Sequence, residues 1–217
     1  DSVGLGLNSS GWTSSGVTER DGKSYISFKS PDIKGVSITK EFLLSADSYL
    51  VDINIIFKNN SPKAAAIRDM QLIWGPNIHL LPQEFEKSHD SFNRYQKIDY
   101  PSSDGKLKAH NINLKAKENK LIILPEIPSW LVIKDLHFMS SFIFTDRSKI
   151  KNAFFRENTG GFSYIGTSIN DILLEPGATE TVKLSSYIGP QEYKRLKKFN
   201  MQSIVDLGWI RILGIGM

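Results

Sequence analysis

The residues able to do chemistry are few, and their spacing is wrong for it. Four histidines stand at positions 79, 89, 110 and 137. None has the H-x-x-x-H spacing that sets two imidazoles on one helix face for a metal. The chain has no cysteine, which removes thiol nucleophiles, zinc–thiolate sites and disulfides together. Gly161-Phe-Ser163-Tyr-Ile-Gly166 has the outline of a nucleophile elbow, but its second glycine comes one residue late. Following Gly160-Gly161, the segment reads as a strand. Gly4-Leu5-Gly6 lacks the preceding strand, third glycine and acidic partner of a dinucleotide site. His137 falls among apolar neighbours and reads as a hydrogen-bonded core or rim histidine. No catalytic residue, metal ligand or cofactor is expected.

Charge offers a different kind of site. The net charge is +4 at pH 7, with basic residues densest at Lys106–Lys120 and Lys194–Lys198. A nucleic-acid groove would interleave aromatics with a basic track, and Lys106–Lys120 holds no aromatic residue. It reads as solvated loop, and no nucleic-acid partner is expected. Lys194, Arg195, Lys197 and Lys198 are better placed, because the apolar stretch Trp209–Met217 follows them with Arg211 as its one charge. That stretch is expected to approach a membrane within a longer polypeptide. The basic residues would then face anionic headgroups, each worth about 1 kcal/mol at the surface. No window reaches the ~20 apolar residues that span a bilayer.

The elements that must position these groups are mostly strands. From Tyr49 to Phe57 the odd positions Tyr49, Val51, Ile53, Ile55 and Phe57 are apolar, while Asp52, Asn54 and Lys58 alternate with them. Period-2 alternation marks a strand with one buried and one wet face. Val36, Ile38 and Phe42 alternate with Ser37, Thr39 and Glu41 just before it, and Ala46-Asp47-Ser48 makes the two a hairpin. Val182, Leu184 and Ile188 alternate in the same way with Thr181, Lys183 and Ser185. In His137–Thr145, Phe138, Phe142 and Phe144 take one side, with Met139 and Ile143 on the other. That segment and Trp130–Ile133 are apolar on both faces, so both are expected to be central and covered twice. Pro176-Gly177 fits a type II turn. Ten or more strands at short spacing, without intervening helices, predict stacked antiparallel sheets. Residues 75–120 read as long loops with short strands between them.

Helices are expected only at the end. Pro190 would sit in the first turn of a helix over Gln191–Phe199, with Glu192 early and the basic residues late, as the helix dipole favours. Tyr193, Leu196 and Phe199 form its apolar stripe. A second helix is expected from Ser203, with Asp206 three residues on as a capping-box-like partner. The body is thus expected over 1–189 and the helices over 190–217, within one domain.

At these terminal residues the chain resembles a known family. Tyr187-Ile-Gly-Pro190, the lysine-rich helix and Ile204-Val-Asp-Leu-Gly-Trp-Ile210 are similar to the end of the large extracytoplasmic domain of bacterial YidC/Oxa1-type membrane protein insertases. Ser129-Trp130 with Lys134-Asp-Leu-His-Phe138 resembles that family's strand pair. Thr39-Lys40-Glu41-Phe42, Tyr49-Leu-Val-Asp-Ile53 and Asn59-Asn60 resemble its early hairpin. The resemblance spans about residues 35–217.

It implies an all-β fold, a β-supersandwich of two stacked antiparallel sheets with short C-terminal helices, on the periplasmic side of the bacterial inner membrane. Transmembrane helices outside the chain would anchor it. The implied work is to aid insertion and folding of inner-membrane proteins as a non-catalytic platform. Implied partners are nascent membrane proteins, components of the Sec translocon and the membrane surface. Tyr193, Leu196, Phe199, Asp206, Gly208 and Trp209 would pack the terminal helices on the sandwich. The supersandwich also resembles aldose-epimerase and other carbohydrate-active domains, which work a sugar ring with a histidine and a carboxylate. His79 with Glu84, or His137 with Asp135, would be the pairs to check. A carbohydrate-binding or epimerase-like domain is therefore the alternative.

Overall fold

A computed structural model describes residues 11–75, 96–113, 116–135, 137–159 and 162–205. Its strands are β1 (Thr13–Ser14), β2 (Thr18–Arg20), β3 (Lys23–Lys29), β4 (Val36–Leu44), β5 (Leu50–Asn59) and β6 (Ala65–Ile67). They continue as β7 (Gln71–Trp74), β8 (Lys97–Pro101), β9 (Leu107–Asn111), β10 (Lys120–Ile123) and β11 (Trp130–Lys134). The last are β12 (Phe138–Ile143), β13 (Ile150–Asn158), β14 (Phe162–Ile169), β15 (Ile172–Leu174) and β16 (Thr179–Pro190). After β16 come a short helix, α1 (Tyr193–Lys197), and a 3-10 turn over Gln202–Ile204.

Ten strands make one sheet in the order β1-β3-β4-β5-β16-β12-β11-β8-β9, with β2 also on β3. A second sheet runs β10-β13-β14-β7, and β15 pairs with β6. The pairing is antiparallel throughout, as in the expected hairpin of β4 with β5. The alternation in β5 sends Val51, Ile53, Ile55 and Phe57 inward, where they meet Phe155, Ile165 and Ile169 of the second sheet. This is the main core. Each fully buried large aliphatic or aromatic side chain contributes about 1.5–3 kcal/mol through area removed from water.

Irregular backbone is stitched by specific groups. Asn59 is buried, and its amide nitrogen donates to the carbonyls of Lys63 and Leu174 at 2.8 and 2.9 Å. Its carbonyl oxygen accepts from the backbone N–H of Ser61 at 3.0 Å. The β15–β16 turn is built on Pro176 and Gly177, with Gly177 at φ +75 and Ala178 N–H donating to Glu175 O at 2.9 Å. That is the type II geometry the dipeptide predicts.

Strands β11 and β12 are covered twice, as their two apolar faces require. Leu131, Ile133, Phe142 and Phe144 enter the main core. Trp130, Val132 and Met139 point the other way into a second cluster, completed by Tyr187, Leu196, Met201 and Ile204, with Ile143 packed against it. Two strand expectations fail locally. Ile188 is exposed, because Tyr187, the neighbour pointing to the opposite face, is the residue covered at this end of β16. Phe138 is also exposed, since it lies at the tip of the β11–β12 hairpin.

The terminal helices differ from expectation too. Pro190 closes β16, opposite Phe138, and does not open a helix. The helix runs only over Tyr193–Lys197, N-capped by Glu192, because the backbone of Gln191 is held to the hairpin by a bond from its N–H to His137 O. Ser203 lies inside the 3-10 turn and does not cap a helix. Asp206, Gly208 and Trp209, like Gly160-Gly161, His79, Glu84 and His89, lie outside the described residues.

Candidate functional site

Of the terminal residues expected to pack on the sandwich, Leu196 and Phe199 lie in the cluster on the outer face of the large sheet. Leu196 is wholly buried and forms the centre of α1's contact with Trp130, Met139 and Tyr187. Phe199 is half-buried, its ring centroid 6.1 Å from that of Tyr187. Tyr193 is half-buried on the same helix. Met201 and Ile204 extend the cap, and both are buried. Helix α1 is too short to stand by propensity, so packing on the sheet is what holds it.

Polar groups fix where the cap sits. The Gln191 side chain donates to Asp135 O at 2.8 Å, and its backbone N–H to His137 O at 2.8 Å. The Tyr187 hydroxyl donates to Pro190 O at 2.8 Å. Burial, and next the charge of Glu192, push this phenol up to about 12. Arg195 pairs with Glu192 at 2.6 Å, donates to Asp47 O at 3.1 Å and lies 5.0 Å over the Tyr49 ring. Its hydrogen bond to Glu192 raises its pKa further above the usual arginine value. Arg195 is therefore a clamp between α1 and the β4–β5 hairpin. Tyr49 stacks edge-on against Tyr187 at 5.9 Å. Gly189 must stay bare beneath it, since a Cβ there would lie 2.6 Å from the Tyr49 ring. Lys194, Lys197 and Lys198 remain exposed.

Beneath the 3-10 turn lies a buried ion pair. Lys134 Nζ stands 3.2 Å from Asp99 Oδ2, with the two side chains only 8% and 1% exposed. The same ammonium donates to Ile204 O at 2.6 Å. Among the described residues Asp99 Oδ1 has no hydrogen-bond partner. Burial raises the Asp99 pKa above the usual carboxylate value, against the opposing pull of Lys134.

Sequence reasoning found the apolar stripe but missed Tyr187, Gln191, Met201 and this ion pair. The doubly apolar β11 and β12 were the available signal for Trp130 and Met139. Nothing in a single sequence reports that Asp99 and Lys134 are diagonal neighbours across the β8–β11 ladder.

Of the two nominated sugar-working pairs only His137 with Asp135 lies among the described residues, and it is not assembled as an acid–base pair. Asp135 Oδ1 accepts the backbone N–H groups of His137 and Phe138, both at 2.7 Å, and so closes its own turn. His137 is exposed there, and not a core or rim histidine of a strand. A histidine–carboxylate pair the sequence did not suggest does occur: His110 Nε2 lies 2.9 Å from Glu157 Oε1, with the imidazole tilted over Phe155 at 4.7 Å. Those two groups are bonded to each other across the two sheets. They are not spread to either side of a ligand atom. Ser163, of the false elbow, is buried within β14. Among the described residues no three His, Asp or Glu side chains are grouped to hold a metal.

The pattern of the YidC periplasmic domain matches residues 5–217. The chain belongs to the YidC periplasmic domain family. A curated relative, the membrane protein insertase YidC of Nitrosospira multiformis, is 22% identical over 202 residues. That match takes in 88% of this chain and 33% of the relative, so the chain spans about a third of that protein's length. Among solved structures, a candidate aldose 1-epimerase from Klebsiella pneumoniae superposes with a TM-score of 0.55 at 11% identity, covering 88% of this chain and 58% of its own. The α-galactosidase from Lactobacillus brevis gives 0.51 at 13% identity, covering 88% and 28%. At such identities the likeness is one of fold, the stacked antiparallel sheets expected of this family, and carries no activity with it. Among the described residues no helix is long and apolar enough to cross a membrane.

Proposed function

We propose that this is the catalytically silent periplasmic domain of a membrane protein insertase, acting as a docking platform for nascent membrane proteins and for components of the Sec translocon. Its anchoring to the inner membrane falls to transmembrane helices elsewhere in the polypeptide. The terminal cap sets the pose of the sandwich above the bilayer. One observation supports this most directly: Leu196, Met201 and Ile204 sew residues 193–204 onto the sheet while Lys194, Lys197 and Lys198 stay exposed on the same short segment. A rigidly held cap with a free basic face suits contact with anionic headgroups.

Deleting residues 190–213 from the full-length protein tests the reading. Insertion of a client membrane protein into proteoliposomes, scored by protease protection, should fall, while substitutions of the exposed Lys106, Lys108 and Lys117, in a stretch that strand β9 makes partly sheet and not solvated loop, should leave it unchanged. Unimpaired insertion after the deletion would end the proposal. The carbohydrate reading has fold likeness on its side but, among the described residues, no open histidine–carboxylate pair, and saturable binding of a free aldose would revive it.

A further inference from the structure

The buried Lys134–Asp99 pair has no obvious reason to exist as a stabiliser. Apolar residues of similar volume at such sites commonly do as well or better, because desolvating two charges costs more than their attraction returns. Among the described residues Asp99 Oδ1 is left without a partner, so the pair is not fully satisfied there. An apolar pair, however, could not aim a donor at one backbone carbonyl. Lys134 Nζ does so, at 2.6 Å from Ile204 O. Among the described residues this is the hydrogen bond that ties residues 201–205 to the sheet. The other attachments of the turn, through Met201 and Ile204, are apolar contacts. Those hold the turn down without fixing its register, since burial of apolar surface is non-directional. The ammonium is itself aimed by Asp99, 3.2 Å away on the neighbouring strand.

We infer that Lys134 and Asp99 are positioning residues: together they lock the register of the terminal 3-10 turn on the sheet and so fix the direction in which the chain leaves at Val205. This rests on the reading that the cap sets the domain's pose.

The test uses the full-length protein carrying Lys134→Met with Asp99→Val. Its 217-residue portion should unfold at an unchanged or higher denaturant concentration. The amides of Ile204 and Val205 should exchange about tenfold faster, the equivalent of one lost hydrogen bond. Client insertion should fall several-fold, and Lys134→Arg, which keeps a charged donor, should retain it. Wild-type exchange at those amides, or faster exchange with undiminished insertion, overturns the inference. If the double variant does not fold, Asp99→Asn, which leaves Lys134 in place but removes the anion that aims it, must give the same acceleration and loss. The two readings fail differently. Harmless deletion of 190–213 removes the proposed function, whereas a damaging deletion with a fully active, fast-exchanging double variant removes only the role of the pair.

Discussion

Leu196→Ala probes the cap with a magnitude that follows from its surroundings. Leu196 is completely buried among Trp130, Met139, Tyr187, Met201 and Ile204. Truncation removes three carbons, worth about 2.4 kcal/mol at ~0.8 kcal/mol each for transfer alone. The void left against the sheet adds to this, because a sheet wall cannot collapse inward as a loop can, and about 3–4 kcal/mol in all is expected, inside the range of about 2–5 for such substitutions. Urea unfolding followed by tryptophan fluorescence measures it, and Trp130, in the same cluster, reports the cap directly. Leu173→Ala is the control: Leu173 is 69% exposed, and its loss should change stability by under about 0.5 kcal/mol. Amide exchange then asks where the loss falls. Residues 191–205 should lose protection before β5 does. A cost below about 1 kcal/mol, or one equal to that of Leu173→Ala, would refute the claim that packing holds α1, against the usual scale of cavity costs.

Other outcomes follow from the same geometry. Tyr187 has a folded pKa of about 12, above its ordinary 10.0; a raised pKa means its stabilising contribution is complete below pH 10 and is lost as pH climbs from 10 to about 12. Thermal melts over that interval should therefore fall less steeply for Tyr187→Phe, which loses about 1 kcal/mol at neutral pH with its bond to Pro190. Gly189→Ala should displace the Tyr49 ring and release Arg195, seen as a chemical-shift change at Tyr49 with a loss of about 1–3 kcal/mol. Asn59→Ala leaves the carbonyls of Lys63 and Leu174 without their donor and should cost about 2–4 kcal/mol in denaturant melts. Replacing Lys194, Lys197 and Lys198 by Glu should abolish sedimentation with anionic vesicles without shifting the melting temperature; unchanged sedimentation would count against a headgroup contact.

The body of the fold was legible because its physics is local. In β5, a residue's neighbour two positions away shares its face, so the run Val51, Ile53, Ile55 and Phe57 announces both the strand and the wall it buries. The doubly apolar β11 and β12 announced a second cover without saying what supplied it. The cap was harder to read, since its structure depends on contacts between distant residues. Pro190 looks like a helix opener, yet pairing with Phe138 keeps it in the sheet. Ile188 has the right period for burial, yet the cover arrives over Tyr187. The periodic stripe Tyr193, Leu196 and Phe199 found the right surface but overstated the helix, whose start is delayed by Gln191 bonding to the hairpin and which ends where Asn200 takes a positive φ of 58. The family pattern over residues 5–217 agrees with the terminal motif that suggested it.

Strand β16 lies between β5 and β12, laddered to both, and leads directly into the cap. A pull along the chain past Val205 would first unravel the short turn and α1. Only then would it load β16, and it would do so along the strand axis, where many backbone bonds must break together. An edge strand pulled in the same way would unzip one bond at a time. The domain can therefore bear tension at this exit with only its last turns giving way, a mechanical fuse in series with a much stronger body.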